Sequence, residues 1–125
     1  MGSIRVLLVD DEAEFRAVMR SSFDSDDRFD VVDEAADGHQ AIALAAYHQP
    51  DVVVLDLMMP EMDGLAAATR IRKEAPEALI AMLSSREARA AQRPAVTAGA
   101  DVFIEKHDIA GVADQIFDLV ESRRG

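Results

Sequence analysis

The sequence predicts an α/β fold: a five-stranded parallel sheet, order 2-1-3-4-5, with five helices on both faces. Two observations lead there. First, short apolar runs alternate with helix-like stretches along all 125 residues, the rhythm of parallel strands joined by right-handed crossovers. Second, four of the runs lead straight into polar residues. Ile4–Val9 precedes Asp10-Asp11, Asp51–Leu55 precedes Asp56, Leu79–Leu83 precedes Ser84-Ser85, and Asp101–Glu105 precedes Lys106. Near-continuous apolar runs suit strands buried on both faces. Ligands of such sheets bind outside the carboxyl ends of the strands. Three aspartates, a hydroxyl and a lysine would therefore gather at one edge.

After the first strand, Asp11–Ser22 carries Phe15, Val18 and Met19 at helical spacing, with Asp11 and Glu14 placed as a capping box. Asp24-Ser25-Asp26-Asp27 is a polar turn, and Phe29–Ala35 a second strand centred on Val31 and Val32. Gly38 opens a second helix, Gln40–His48, with Ile42, Leu44 and Tyr47 as its apolar residues and Pro50 as its stop. The third strand ends at Asp56. Pro60 and Gly64 mark the following turn, a third helix runs from Gly64 to Ala75, and Pro76 stops it. The fourth strand ends near Ser84. Glu87–Ala98 is helix-like but contains Pro94, and Gly99 ends it. The fifth strand leads to Lys106, and Ile109–Ser122 is an amphipathic last helix. With five strands in the doubly wound, flavodoxin-like order, the switch point falls between strands 1 and 3, which carry Asp10, Asp11 and Asp56.

The length fits one compact domain over residues 1–125. No apolar run is long enough to span a membrane. Met1-Gly2-Ser3 leads directly into a strand, so no signal peptide is visible; a cytoplasmic location is expected. The absence of cysteine excludes disulfides, thiolate metal sites and Cys nucleophiles. A net charge of −11 argues against binding to nucleic acid or anionic membranes by this domain. His39, His48 and His107 have no ligand spacing and read as surface residues. Met58, Met59 and Met62 read as gap fillers beneath a loop.

Three converging carboxylates cannot all stay ionised without a cation. An oxygen-only set suits a hard ion, Mg²⁺ with Mn²⁺ as an alternative, that leaves room for phosphate oxygens. The plain alternative for Asp10-Asp11 is a turn and a helix cap. Asp56, alone past an apolar strand, can act as a nucleophile on phosphorus or simply cap the next turn. Ser84 could donate to a phosphoryl oxygen and Lys106 could pair with its charge. Equally, Ser84 could cap a helix and Lys106 be solvated.

Val9-Asp10-Asp11-Glu12, Asp56-Leu57-Met58-Met59-Pro60-Glu61-Met62-Asp63-Gly64, Ser84, Ala98-Gly99-Ala100-Asp101 and Lys106 together resemble the receiver domain of bacterial response regulators. The resemblance covers essentially the whole chain. It implies that Asp56 accepts a phosphoryl group from a phosphohistidine on a sensor histidine kinase or phosphotransfer protein. It implies that Asp10, Asp11, Asp56 and the Met58 backbone carbonyl hold Mg²⁺, and that Ser84 and Lys106 contact the phosphoryl group. Ser84 and Phe103 would be the switch residues. They would act on the face formed by the fourth helix, fifth strand and fifth helix, as a shift between two packings. Phe103 also reads plainly as a core residue of strand 5. The domain would catalyse only its own phosphorylation and slow dephosphorylation, acting as a switch rather than a turnover enzyme. Its partners would be the kinase and either a separate effector or an output domain of a longer regulator.

Three departures from the family pattern bear on this. His107 follows Lys106 where many receivers have a cis proline; a trans Lys106-His107 bond is expected, because a non-proline cis bond costs about 2.5–4 kcal/mol. Pro94 predicts a fourth helix that is kinked or starts near Arg93. Ser85 stands where alanine is common, and with Met58 and Arg86 it flanks the route to Asp56. Two rivals are weaker. A dehalogenase-type phosphatase needs a second Asp two residues after the nucleophile, where this chain has Met58. A receiver-like interaction module that is not regulated by phosphorylation usually lacks the acceptor or the acidic pair, both present here, and stays as the alternative because of His107 and Pro94.

Overall fold

In a computed structural model of the chain, residues 3–59, 62, 64–84, 99–106 and 109–124 are described, the backbone alone at 109 and 110. The elements are β1 (Ile4–Val9), α1 (Ala13–Asp24), β2 (Phe29–Ala35), α2 (Gly38–His48), β3 (Val52–Asp56), α3 (Gly64–Glu74), β4 (Leu79–Ser84), β5 (Val102–Glu105) and α4 (Ile109–Arg124). The predicted helix around Pro94, the Lys106-His107 bond and the side chains of Ser85 and Arg86 lie outside the described residues.

The strands form one parallel sheet in the order β2-β1-β3-β4-β5. Strand alternation splits the core in two. Leu7, Val9, Val53, Leu55, Ile80 and Met82 face α2 and α3, which contribute Ala41, Ala45, Ala67, Ala68 and Ile71. Val6, Leu8, Val52, Val54, Ala81 and Leu83 face α1 and α4, which contribute Met19, Phe23, Val112, Ile116 and Val120. This is why the three central strands read as continuous apolar runs: both of their faces are covered. Among the described residues no helix is long and apolar enough to cross a membrane.

The structure corrects several local expectations. Asp11 does not cap α1. The N-cap position is Glu12, which makes no side-chain cap bond, and the acceptor is Asp10, whose Oδ1 takes the Glu12 N–H at 2.8 Å. The buried strand-end carboxylate reaches the free backbone donor, while Asp11 is exposed. The helix continues past Ser22 to bury Phe23 edge-on against Phe29, with ring centroids 4.9 Å apart. Phe15, Met19 and Phe23, four residues apart, make one stripe; Val18 falls off it and is exposed. On α2, Asp37 caps the start through Gln40 N–H at 2.8 Å, and Tyr47 faces outward rather than into the core. The adjacent His48 is not a free surface residue: its Nε2 lies 3.0 Å from Asp33 Oδ2. The last helix extends beyond Ser122 to Arg124.

Candidate functional site at the carboxyl edge

β1 and β3 are neighbours with Val9 opposite Leu55, so Asp10 and Asp56, one residue further on, come side by side. Asp10, Asp11 and Asp56 each offer an oxygen within 4.8 Å of the others. Asp10 and Asp56 are 5% and 3% exposed, and Ser84, also at the edge, is 1% exposed. These three are the buried polar side chains among the described residues. Lys106 follows β5, its backbone N–H bonded to the Ser84 carbonyl at 2.8 Å. That anchor sends its ammonium back across the edge, 3.2 Å from Asp56 Oδ1 and 3.3 Å from Asp10 Oδ2.

Leu57 and Met58, just past β3, and Gly64, at the start of α3, lie close against the end of that strand. The Met58 N–H donates to Asp56 Oδ1 at 3.2 Å, and the Gly64 N–H donates to the Leu57 carbonyl at 2.8 Å. A Cβ on Gly64 would sit 2.6 Å from the Asp56 carbonyl oxygen and 2.7 Å from Leu57 Cα. No side chain fits there, which gives Gly64 a physical reason beyond its place in a turn. Met59 is buried as expected of a gap filler, but the Met58 side chain is 68% exposed beside the site. Phe103, on β5, is half-buried and packs against the cluster on the α2 and α3 side.

Charge at this edge is out of balance. Burial, and then the neighbouring Asp10, push the Asp56 carboxyl up to about 6, against the opposing pull of Lys106 and the Met58 N–H. Burial alone would push the Lys106 ammonium down, but Asp56 and Asp10 outweigh it and hold its pKa above the ordinary value. Among the described residues, the Lys106 ammonium meets two buried carboxylates, Asp10 and Asp56, with the exposed Asp11 beside them. The donor set is all oxygen, with no thiol or imidazole among the clustered ligands. It therefore fits a hard divalent cation of the Mg²⁺ type.

Reading the sequence alone missed three residues that support this edge. Arg16 Nη1 donates to the Asp10 carbonyl at 2.6 Å, and its Nε is held by Glu34 Oε1 at 2.9 Å. Glu34 Oε2 also takes Arg20 at 2.7 Å. Phe15 places its ring centroid 4.5 Å from Lys106 Nζ. The pattern offered little signal for these. Arg16 stands four residues after Glu12 and looks like half of an exposed helical pair, and Phe15 belongs to the apolar stripe.

A doubly wound sheet with an acidic switch-point pocket and a lysine across it defines the receiver class of signalling domains. The chain belongs to the family described as response regulator receiver domain, whose sequence model matches residues 6–116. It is 35% identical over 126 residues to protein-glutamate methylesterase/protein-glutamine glutaminase 2 of Photobacterium profundum, covering 98% of this chain and 32% of that protein. The chain thus spans about a third of the length of that relative, and the matched part is the receiver. Among solved structures, the response regulator domain of Thermotoga maritima CheB superposes with a TM-score of 0.84 at 34% identity, covering 96% of this chain and 95% of that one. The CheX-CheY-BeF3-Mg complex of Borrelia burgdorferi gives 0.84 at 30% identity, covering 93% and 88%.

Proposed function

We propose that the domain is a phosphorylation-activated signalling switch, with Asp56 as phosphoacceptor and a phosphohistidine of a sensor kinase or phosphotransfer protein as donor. The observation that carries this reading is the convergence of Asp10, Asp11, Asp56 and Lys106 on one edge of the sheet. An Asp56 carboxylate oxygen attacks phosphorus, an O–P bond forms, and the donor's P–N bond breaks. The bonding pair goes to the imidazole nitrogen, and the ring, protonated at its other nitrogen, leaves neutral. Lys106, already 3.2 Å from Asp56 Oδ1, is within reach of a phosphoryl oxygen and offsets its charge. The Ser84 hydroxyl lies at the same edge as a donor. Asp10, Asp11, Asp56 and the Met58 carbonyl would hold Mg²⁺, which when bound neutralises phosphoryl oxygens and orients the group.

Phe103 would carry the state of Asp56 to the face that includes β5 and α4, as a shift between two packings. A separate effector, or an output domain in a longer chain, reads that face. A charge of −11 speaks against direct nucleic-acid contact by this domain. A cytoplasmic location goes with the reading. Intact mass after incubation with a small phosphodonor tests it. A Mg²⁺-dependent gain of one phosphoryl group, absent in Asp56→Asn, is expected. No gain from either a small donor or a kinase would leave signalling by contacts alone.

A further inference from the structure

We infer that Phe15 is a positioning residue that holds the Lys106 ammonium between Asp10 and Asp56. The inference draws its consequence from the phosphoryl-transfer reading, but the contact itself is tested independently of it. Lys106 leaves β5 with its backbone tied to Ser84, yet a lysine side chain has four rotatable bonds and would ordinarily extend into water. Here it is confined on three sides. Asp56 and Asp10 oxygens lie at 3.2 and 3.3 Å, and the Phe15 ring centroid lies 4.5 Å from Nζ. That distance is well inside the range of cation–π attraction.

The ring itself is fixed. Phe15 packs against the cluster formed by α1, α4 and the sheet, one turn before buried Met19. Its neighbour Arg16 ties the same helical turn to the Asp10 carbonyl. The first turn of α1 therefore touches both halves of the site: Arg16 the acidic turn, Phe15 the lysine.

A ring face suits this task better than a third carboxylate. It attracts the cation without claiming a particular N–H, so the three ammonium hydrogens remain free to bond oxygens. It adds no negative charge to a pocket that already carries an excess. When the oxygens around the ammonium change from carboxylate to phosphoryl, the ring remains as the constant contact about which the ammonium can turn.

The chain has two lysines, Lys73 and Lys106, so the lysine ε-CH₂ signals of the metal-free protein give a direct readout. Lys73 lies on exposed helix surface and is the internal reference. In the parent protein the Lys106 signals are expected upfield of Lys73, as for protons above an aromatic face. Phe15→Leu, which keeps apolar bulk and loses the π face, should remove that displacement. Phe15→Tyr should restore it. The second arm is the rate of Mg²⁺-dependent phosphorylation from a small donor. Phe15→Leu should slow it roughly 2- to 5-fold, the size of a partly exposed cation–π contact, and Phe15→Tyr should recover it. Coincident Lys73 and Lys106 signals in the parent protein would overturn the contact. A normal displacement in the parent, with Phe15→Leu phosphorylated at the parent rate, would overturn the positioning role. A parent protein that accepts no phosphoryl group at all would sink the signalling reading, while the metal-free spectra would still decide the contact.

Discussion

Two charged clusters, one at each edge of the sheet, are built in opposite ways. At the amino edge, Arg72 on α3 donates to the Pro76, Ala78 and Gly99 carbonyls and to Asp101, and Asp101 Oδ2 also takes the Ile80 N–H at 2.7 Å. One cation meets one anion, and the remaining polar atoms are backbone groups. At the carboxyl edge, among the described residues, two carboxylates nearly excluded from water, Asp10 and Asp56, share the one Lys106 ammonium, with Asp11 beside them. A balanced cluster ties elements together. An unbalanced buried cluster costs stability and persists where a ligand completes it. Ion pairs alone therefore do not mark the site in this fold; a buried surplus of one sign does.

The largest test of this contrast is Asp56→Asn. It should abolish phosphorylation and stabilise the metal-free protein at pH 7 by about 1–3 kcal/mol, because a carboxylate pushed up to about 6 is being held ionised against its surroundings. Chemical denaturation beside intact mass reads both; a destabilised Asp56→Asn would break the comparison. Next comes Arg72→Ala, which should cost about 2 kcal/mol by stripping partners from Asp101 and three carbonyls. Urea unfolding should show that loss, while Mg²⁺ titration should show unchanged affinity. A drop in affinity would mean that the two edges are not separable.

Arg16→Met sharpens the picture from the other side. It removes the bond to the Asp10 carbonyl and leaves Glu34 with Arg20. Mg²⁺ affinity should fall about 10-fold, as for loss of a group that orients a ligand, with a much smaller change in unfolding midpoint. The pH dependence gives an effect of similar or smaller size. Folded metal-free protein keeps the Asp56 proton to about pH 6, whereas the unfolded chain releases it near 3.8. Its contribution to stability is thus full below about pH 4 and is lost as pH rises through 6. Mg²⁺ must displace that proton, so its affinity should weaken roughly 10-fold between pH 7 and pH 5. Calorimetry at the two pH values checks this, and a flat profile would mean that Asp56 is ionised throughout.

Strand number and the meeting of Asp10, Asp56 and Lys106 could be read from the chain because they follow from local rules, while the strand order is a common solution for five alternating units. Apolar runs of strand length alternate with helical stretches, and parallel strands all present their carboxyl ends to one side. A residue just past such a run has few other places to go. The register of β1 with β3 then brings Asp10 beside Asp56. Helix faces were read less well. Val18 and Tyr47 sit in apolar patterns but point outward, because a helix buries only the stripe that its neighbour covers.

What the sequence by itself determined is therefore the layered sheet and the side on which its polar strand ends collect. Tertiary structure alone decided which groups support them. Arg16 and Glu34 are 18 residues apart and meet because α1 crosses over β2. Phe15 reaches Lys106 because α1 and the turn after β5 share one edge. Gly64 is needed because the chain there lies so close to the end of β3 that a Cβ would sit 2.6 Å from the Asp56 carbonyl oxygen. Periodicity reports whether a residue faces a core or water. It does not report which distant group stands opposite, because that depends on how separate elements dock, and the contact exists only once they have.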